Sequence, residues 1–415
     1  MMNRSGILSP PYEPVSPDMN PLAAVQPPAT PTRAARVKPA AAGDMTGPAP
    51  ACCARGMMLS SGGDVKRTAA QSPALDTGAP LPMIYASPRD VDVPGAAGPI
   101  EEEATMDLSA LHGILPPVLT PLHDDETVDT RSLAALLEYL IGAGVHGLWI
   151  CGTTGEFACL DGAQRAAAVR TAVETARGRL PVVANVGDGS TALAIAHARA
   201  AREAGADALA LTPPYYYSNN QAELLDHFRA LRAAVDLPLL VYNIPQTVKV
   251  KLDVPTMVTL ANEGTVVGLK DSQNDLDWFR SVIVNTRARR PDLRAFLGTR
   301  ALIDAAVLIG GAGSIPGIAN IYPRWCVRCH EAAARGDWVE AARYQELVMA
   351  GSGVTAVGPG SAIAQSLGGM KAILQAEGII ASRRLAAPLH TPTDAEAEQV
   401  VARYRALVAA PAPAD

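Results

Sequence analysis

Lys270 closes the run Val266-Val267-Gly268-Leu269-Lys270, a short β-branched segment with no other charge. Such a segment reads as a buried strand. Burial penalises the ammonium and lowers its pKa toward that of a neutral amine. A neutral amine attacks a ketone and forms a Schiff base. Two other chemical groups end comparable apolar runs. Tyr242 follows Leu239-Leu240-Val241 and opens Tyr242-Asn243-Ile244-Pro245. A phenol there can pass protons to and from a reacting carbonyl. Gly152-Thr153-Thr154-Gly155-Glu156 follows Gly147-Leu148-Trp149-Ile150-Cys151. Small flanking residues let the backbone N–H groups of Thr153 and Thr154, together with their hydroxyls, approach an anion such as a carboxylate. Each signal has an ordinary reading: a lysine snorkelling from a strand end, a buried phenol bonded to a carbonyl, a plain glycine-rich turn. Their co-occurrence at three separate strand ends is what carries weight.

The elements that must position these groups follow from periodicity. Eight apolar runs recur, at 113–119, 147–151, 181–186, 208–212, 238–244, 266–270, 293–297 and 313–318. Between them lie helical patterns: Leu133, Leu136, Leu137, Leu140 and Ile141 repeat at helix spacing, as do Leu224, Phe228, Leu231 and Val235. Glycine stops two of these helices in matching turns, at Gly144 and Gly205. Eight βα units predict an α/β fold, a (β/α)₈ TIM barrel, with catalytic groups at the C-terminal ends of the strands. The barrel is expected over 106–320. An all-helical extension follows over 321–410, interrupted by the Gly-rich 351–360. Residues 1–105 are rich in Pro, Ala and Gly without apolar periodicity, and read as a disordered tail.

With these motifs in this order, the chain resembles the pyruvate-dependent class I aldolases typified by dihydrodipicolinate synthase and N-acetylneuraminate lyase. The resemblance runs from about Gly113 to about Val400 and includes Thr212-Pro213-Pro214-Tyr215-Tyr216 and Gly268-Leu269-Lys270-Asp271. It implies Lys270 as Schiff-base nucleophile, Tyr242 as acid/base, and Thr153 as link to a second tyrosine, Tyr216, that reaches a neighbouring subunit's site. It implies Thr154, within Gly152–Gly155, as the holder of the pyruvate carboxylate, and Ile315 as a backbone flank. The implied partners are pyruvate or another 2-keto acid and an aldehyde, in a homo-oligomer, dimer or tetramer, with no metal or organic cofactor. Glu156 reads as structural, and Asp271 points away from the lysine if the pleat continues.

Two departures bear on specificity. Dihydrodipicolinate synthases carry an arginine where this chain has Thr247, and threonine lacks the charged fork; Lys249 is the nearby substitute. Sialic acid lyases carry acidic residues after the seventh strand, where this chain has Gly298-Thr299-Arg300-Ala301. The expectation is therefore a lyase or aldolase that makes or breaks a bond at the pyruvate methyl carbon, with a 2-keto-3-deoxy acid or a related substrate. An uncharged or hydroxylated aldehyde is favoured over a carboxylated one. The alternatives are 4-hydroxy-tetrahydrodipicolinate synthase, a 2-keto-3-deoxy acid dehydratase, and a catalytically inactive keto-acid-binding barrel.

Composition closes other routes. Of 415 residues, 35 are Lys or Arg and 41 Asp or Glu, a net charge of −6 that favours neither nucleic acid nor an anionic membrane. The charge-free stretch 305–323 is split by glycine and proline and does not read as a span. Cys326-Val327-Arg328-Cys329-His330 has haem-attachment spacing, but it falls in a helical pattern and no export signal precedes it. The expected location is the cytoplasm.

Overall fold

The computed structural model describes residues 106–410; the expected tail lies outside the described residues. Strands and helices alternate from Gly113. β1 (Gly113–Ile114), α1 (Thr130–Gly142), β2 (Leu148–Ile150), α2 (Gly162–Ala176), β3 (Val182–Asn185) and α3 (Thr191–Glu203) come first. β4 (Ala208–Leu211), α4 (Gln221–Ala234), β5 (Leu239–Asn243), the short α5 (Pro245–Val248) and α6 (Val254–Asn262) follow. β6 (Gly268–Asp271), α7 (Leu276–Thr286), β7 (Arg294–Leu297), α8 (Ile303–Leu308) and β8 (Gly313–Ser314) complete the strands. α9 (Pro323–Ala334), α10 (Trp338–Ser352), α11 (Ala362–Ala376) and α12 (Asp394–Ala409) end the described chain.

The helices start where local chemistry tells them to. Asp129, Ser190, Asp253 and Asp275 each accept a backbone N–H of the first turn of α1, α3, α6 and α7. Asp161 with Gln164 and Asn220 with Glu223 form reciprocal capping boxes on α2 and α4. Gly144 and Gly205 follow α1 and α3 with φ of 86° and 88°, the left-handed turn that glycine accepts without cost.

All strand pairs are parallel, in the order β1-β8-β7-β6-β5-β4-β3-β2. The seam between β1 and β2 is closed just past β1. Pro117 bridges Trp149, the Val118 N–H donates to the Trp149 carbonyl at 2.9 Å, and the Trp149 N–H donates to the Pro116 carbonyl at 3.0 Å. The (β/α)₈ barrel is therefore complete. β1 is shorter than its apolar run because Pro116 and Pro117 carry no N–H for a ladder. β8 is shorter because Pro316 ends it and a 3₁₀ turn follows at Gly317–Asn320.

Side-chain alternation splits the core in two. Leu148, Ile150, Leu209, Leu211, Leu239, Val241 and Leu269 face the helices. Trp149, Val183, Ala208, Ala210, Leu240, Tyr242 and Phe296 fill the barrel interior. α9 packs on β1 and α8, so it is the eighth helix of the ring, and the added helices proper begin at α10. The boundary expected at 321 counted α9 with the extension, because a helix-only pattern carries no sign of which helix covers β1. Among the described residues, no helix is long and apolar enough to cross a membrane.

Candidate active site

Register brings the first two groups together. Tyr242 on β5 pairs with Lys270 on β6, and Lys270 pairs with Phe296 on β7. Three inward side chains thus share one layer at the C-terminal end of the barrel. Their successors point outward. Asn243 Nδ2 donates to Asp271 Oδ1 at 2.8 Å on the far side of the sheet, and burial pushes the Asp271 carboxyl up to about 7.

Lys270 is 2% exposed. Its Nζ lies 4.0 Å from the Tyr242 ring centre and 4.8 Å from that of Trp149. No hydrogen bond or ion pair holds it among the described residues. Burial, with no anion to offset it, brings its pKa down to about 7. Room for the lysine depends on Gly298, at the end of β7. A Cβ there would stand 3.1 Å from Lys270 Cε and 2.1 Å from Ser272 Oγ.

The Tyr242 hydroxyl and Thr153 Oγ1 are 3.1 Å apart. Burial raises the phenol's pKa, opposed by hydrogen bonds from Thr153 and Ser272. Thr153 belongs to a tight loop after β2, in which the Gly155 N–H donates to the Gly152 carbonyl at 3.0 Å and the Glu156 N–H to the Thr153 carbonyl at 3.1 Å. The backbone N–H groups of Thr153 and Thr154 and the Thr154 hydroxyl have no partner among the described residues. Glu156, buried and left-handed at φ 57°, anchors the loop from below. It ion-pairs with the equally buried Lys371 of α11 and accepts the Ala386 N–H at 2.8 Å.

These groups open onto a pocket of about 470 Å³, walled by Thr153, Thr154, Tyr242, Lys270, Gly298 and Ile315, within the size range of small-molecule sites. Its outer wall is formed by Thr355, Ser366 and Met370, among other residues of α11 and the segment before it. Gly152 and Gly155 are buried in the loop behind the wall.

Two sequence-predicted residues stand elsewhere. Thr247 on α5 is exposed and does not line the pocket; its neighbour Gln246 does. The helical turn rotates position 247 away, and Lys249 Nζ is occupied at 2.9 Å by the Gln246 carbonyl. Tyr216 is 89% exposed, outside this chain's pocket, its ring set edge-on to Tyr217. Tyr215 turns inward instead, donating to Asp188 Oδ1 at 3.1 Å. The haem-like run lies on α9, with Cys326 and Cys329 buried and free.

Sequence reasoning missed Trp149, Ser272, Gln246, Asn274 and the outer wall. Trp149 and Ser272 adjoin quoted motifs and were within reach of strand alternation. The outer wall carries no local signal, because only folding brings α11 to the barrel mouth.

A parallel (β/α)₈ barrel whose lysine, tyrosine and threonine pair converge on one pocket at the strand ends belongs to the enzyme barrels. The chain belongs, more narrowly, to the dihydrodipicolinate synthetase family, whose model matches residues 110–407. It is 33% identical over 261 residues to an uncharacterised DapA-like lyase of Halobacterium salinarum, covering 63% of this chain and 82% of that protein. It is 38% identical over 240 residues to the 4-hydroxy-tetrahydrodipicolinate synthase of Rhodospirillum centenum, covering 57% and 80%. Among solved structures, dihydrodipicolinate synthase from Bacteroides thetaiotaomicron matches with TM-score 0.67 and 35% identity over 71% of this chain and 98% of that one. YagE, a prophage protein of the same family from E. coli K12 solved in complex with pyruvate, matches with TM-score 0.67 and 27% identity over 72% and 98%.

Proposed function

We propose that the protein is a Schiff-base lyase that makes or cleaves a carbon–carbon bond at the methyl carbon of pyruvate. The observation that carries this reading is Lys270: buried, unpaired, with a pKa near 7, and facing a pocket beside Tyr242. The neutral amine adds to the keto carbon, and the carbinolamine loses its hydroxyl as water on protonation by Tyr242, leaving an iminium. The Tyr242 phenolate left by that step takes a proton off the methyl group while the iminium receives the electron pair, the resulting enamine carbon attacks an aldehyde carbon, and Tyr242 returns the proton to the aldehyde oxygen. Water then hydrolyses the new iminium and frees both product and lysine. Run backwards, the same steps cleave a 4-hydroxy-2-keto acid.

The unpartnered N–H groups and hydroxyl at Thr153 and Thr154 suit the pyruvate carboxylate. The pyruvate complex of YagE supports that donor. Tyr216, exposed here, reaches a second copy in a homo-oligomer on this reading. The free cysteines Cys151, Cys326 and Cys329, all buried, support a reducing compartment such as the cytoplasm. The name of the 38%-identical relative favours a second reading, 4-hydroxy-tetrahydrodipicolinate synthesis, which shares every step up to the enamine.

Borohydride reduction with pyruvate is the test. A reduced pyruvyl adduct is expected on the peptide that holds Lys270, and Lys270→Ala should abolish it. An adduct elsewhere, or none with any of a panel of 2-keto acids, would sink the mechanism.

A further inference from the structure

The charge of the pocket wall sets it apart from its surroundings. Over the whole sequence acids outnumber bases by 41 to 35. The wall nevertheless carries two charged side chains, Lys270 and Arg300, and no carboxylate. Near neutral pH Lys270 is partly discharged, so Arg300 is the pocket's standing cation. Nothing neutralises it: no hydrogen bond or ion pair reaches its guanidinium among the described residues, although its backbone carbonyl accepts Gln345 Nε2 at 2.8 Å. Some arginines are held by carboxylates, as Arg165 is by Asp188, Arg229 by Glu263 and Arg384 by Glu126; Arg300 instead faces a pocket wall that offers it none.

Arg300 is also close to the chemistry. Gly298 abuts Lys270 Cε. Two further residues carry the backbone at most about 7 Å from there, so the exposed Arg300 stands at the pocket rim, and its long side chain can turn toward the far end of a substrate extending from the lysine. The polar side chains of the barrel-side wall other than the reacting groups and Arg300 itself are neutral and hydrogen-bonding: Gln246, Ser272, Asn274 and Thr299. Gln246 and the C-terminal wall supply no competing charge.

We propose that Arg300 binds a second anionic group, a carboxylate or a phosphate, on the aldehyde half of the substrate. Resting on the Schiff-base reading above, this assigns the enzyme acidic aldehydes, with one anion at the Thr153–Thr154 loop and the other at Arg300. A planar guanidinium matches either anion in bidentate fashion. It reverses the preference for uncharged aldehydes drawn from Thr247. That position is turned out of the pocket, and the cation is supplied from the loop after β7 instead.

The test measures pyruvate-dependent condensation by the full-length protein with matched acceptors: glyceraldehyde, glyceraldehyde 3-phosphate and tartronate semialdehyde. Wild type should favour at least one anionic acceptor by tenfold or more in kcat/KM. Which one it favours tells phosphate from carboxylate. Arg300→Met should erase that preference, lowering kcat/KM for the anionic acceptor at least tenfold more than for glyceraldehyde, and Arg300→Lys should keep part of it. Borohydride trapping of pyruvate should be unchanged in both variants, which also reports that they fold. Normal trapping with no preference in wild type, or an equal loss on every acceptor in Arg300→Met, overturns the assignment of Arg300 alone. Absence of trapping in wild type overturns the lyase reading beneath it.

Discussion

Lys270 is a base made useful by what it lacks. Its Nζ has aromatic faces around it, Trp149 and Tyr242, but no carboxylate. Burial alone therefore sets its titration, and the direction is downward from 10.5 to about 7. Imine formation needs the neutral amine, so the rate of borohydride-trappable adduct formation should rise with pH through an inflection near 7. About a tenth of the lysine is neutral one pH unit below its pKa, so the rate at pH 6 should be roughly a tenth of the plateau above pH 8. A profile still climbing at pH 9 would mean that the lysine is not desolvated. Asp271, one residue on, shows the same burial acting on an acid and raising its pKa. It cannot serve as the missing counter-ion, since the pleat carries it to the other face, against Asn243.

At the scale of elements, the loop after β2 depends on a helix more than 200 residues later. Glu156 and Lys371 are both fully buried, and the ammonium also donates to the Arg384 carbonyl at 2.7 Å. Breaking one side of such a pair leaves a charge in the interior, which costs about 3–5 kcal/mol, whereas replacing both partners is far milder. Lys371→Met should therefore lower the free energy of unfolding by that amount in denaturant titrations, and adding Glu156→Gln should recover much of it. If Lys371→Met proves neutral, the loop is held by its own turns and the helix is dispensable to it. The same contact explains why α11 contributes Ser366 and Met370 to the pocket: the ion pair clamps it over the barrel mouth.

At the scale of the whole molecule, the family match spans residues 110–407 and the (β/α)₈ barrel supplies the site. Residues 1–105 have a composition that offsets little ordering entropy. Their deletion should leave pyruvate trapping and the thermal midpoint close to those of the full chain, as measured side by side by mass spectrometry and calorimetry. A drop of several degrees, or loss of trapping, would show that the segment docks on the barrel.

Much of this was legible in the chain itself, because parallel strands buried on both faces must be apolar runs and their covering helices must be amphipathic. The eight strands, the helix stops at Gly144 and Gly205, and the strand-end placement of Thr153, Tyr242 and Lys270 all follow from such local patterns. The tertiary structure decided what depends on rotation and long-range approach. It turned Thr247 outward and Gln246 inward within one helical turn, left Tyr216 in solvent while Tyr215 found Asp188, and gave α9 to the barrel ring. It also set Arg300 on the pocket wall and brought α11 across the mouth. No local period encodes those outcomes. They are fixed by which buried groups find partners once the barrel has closed.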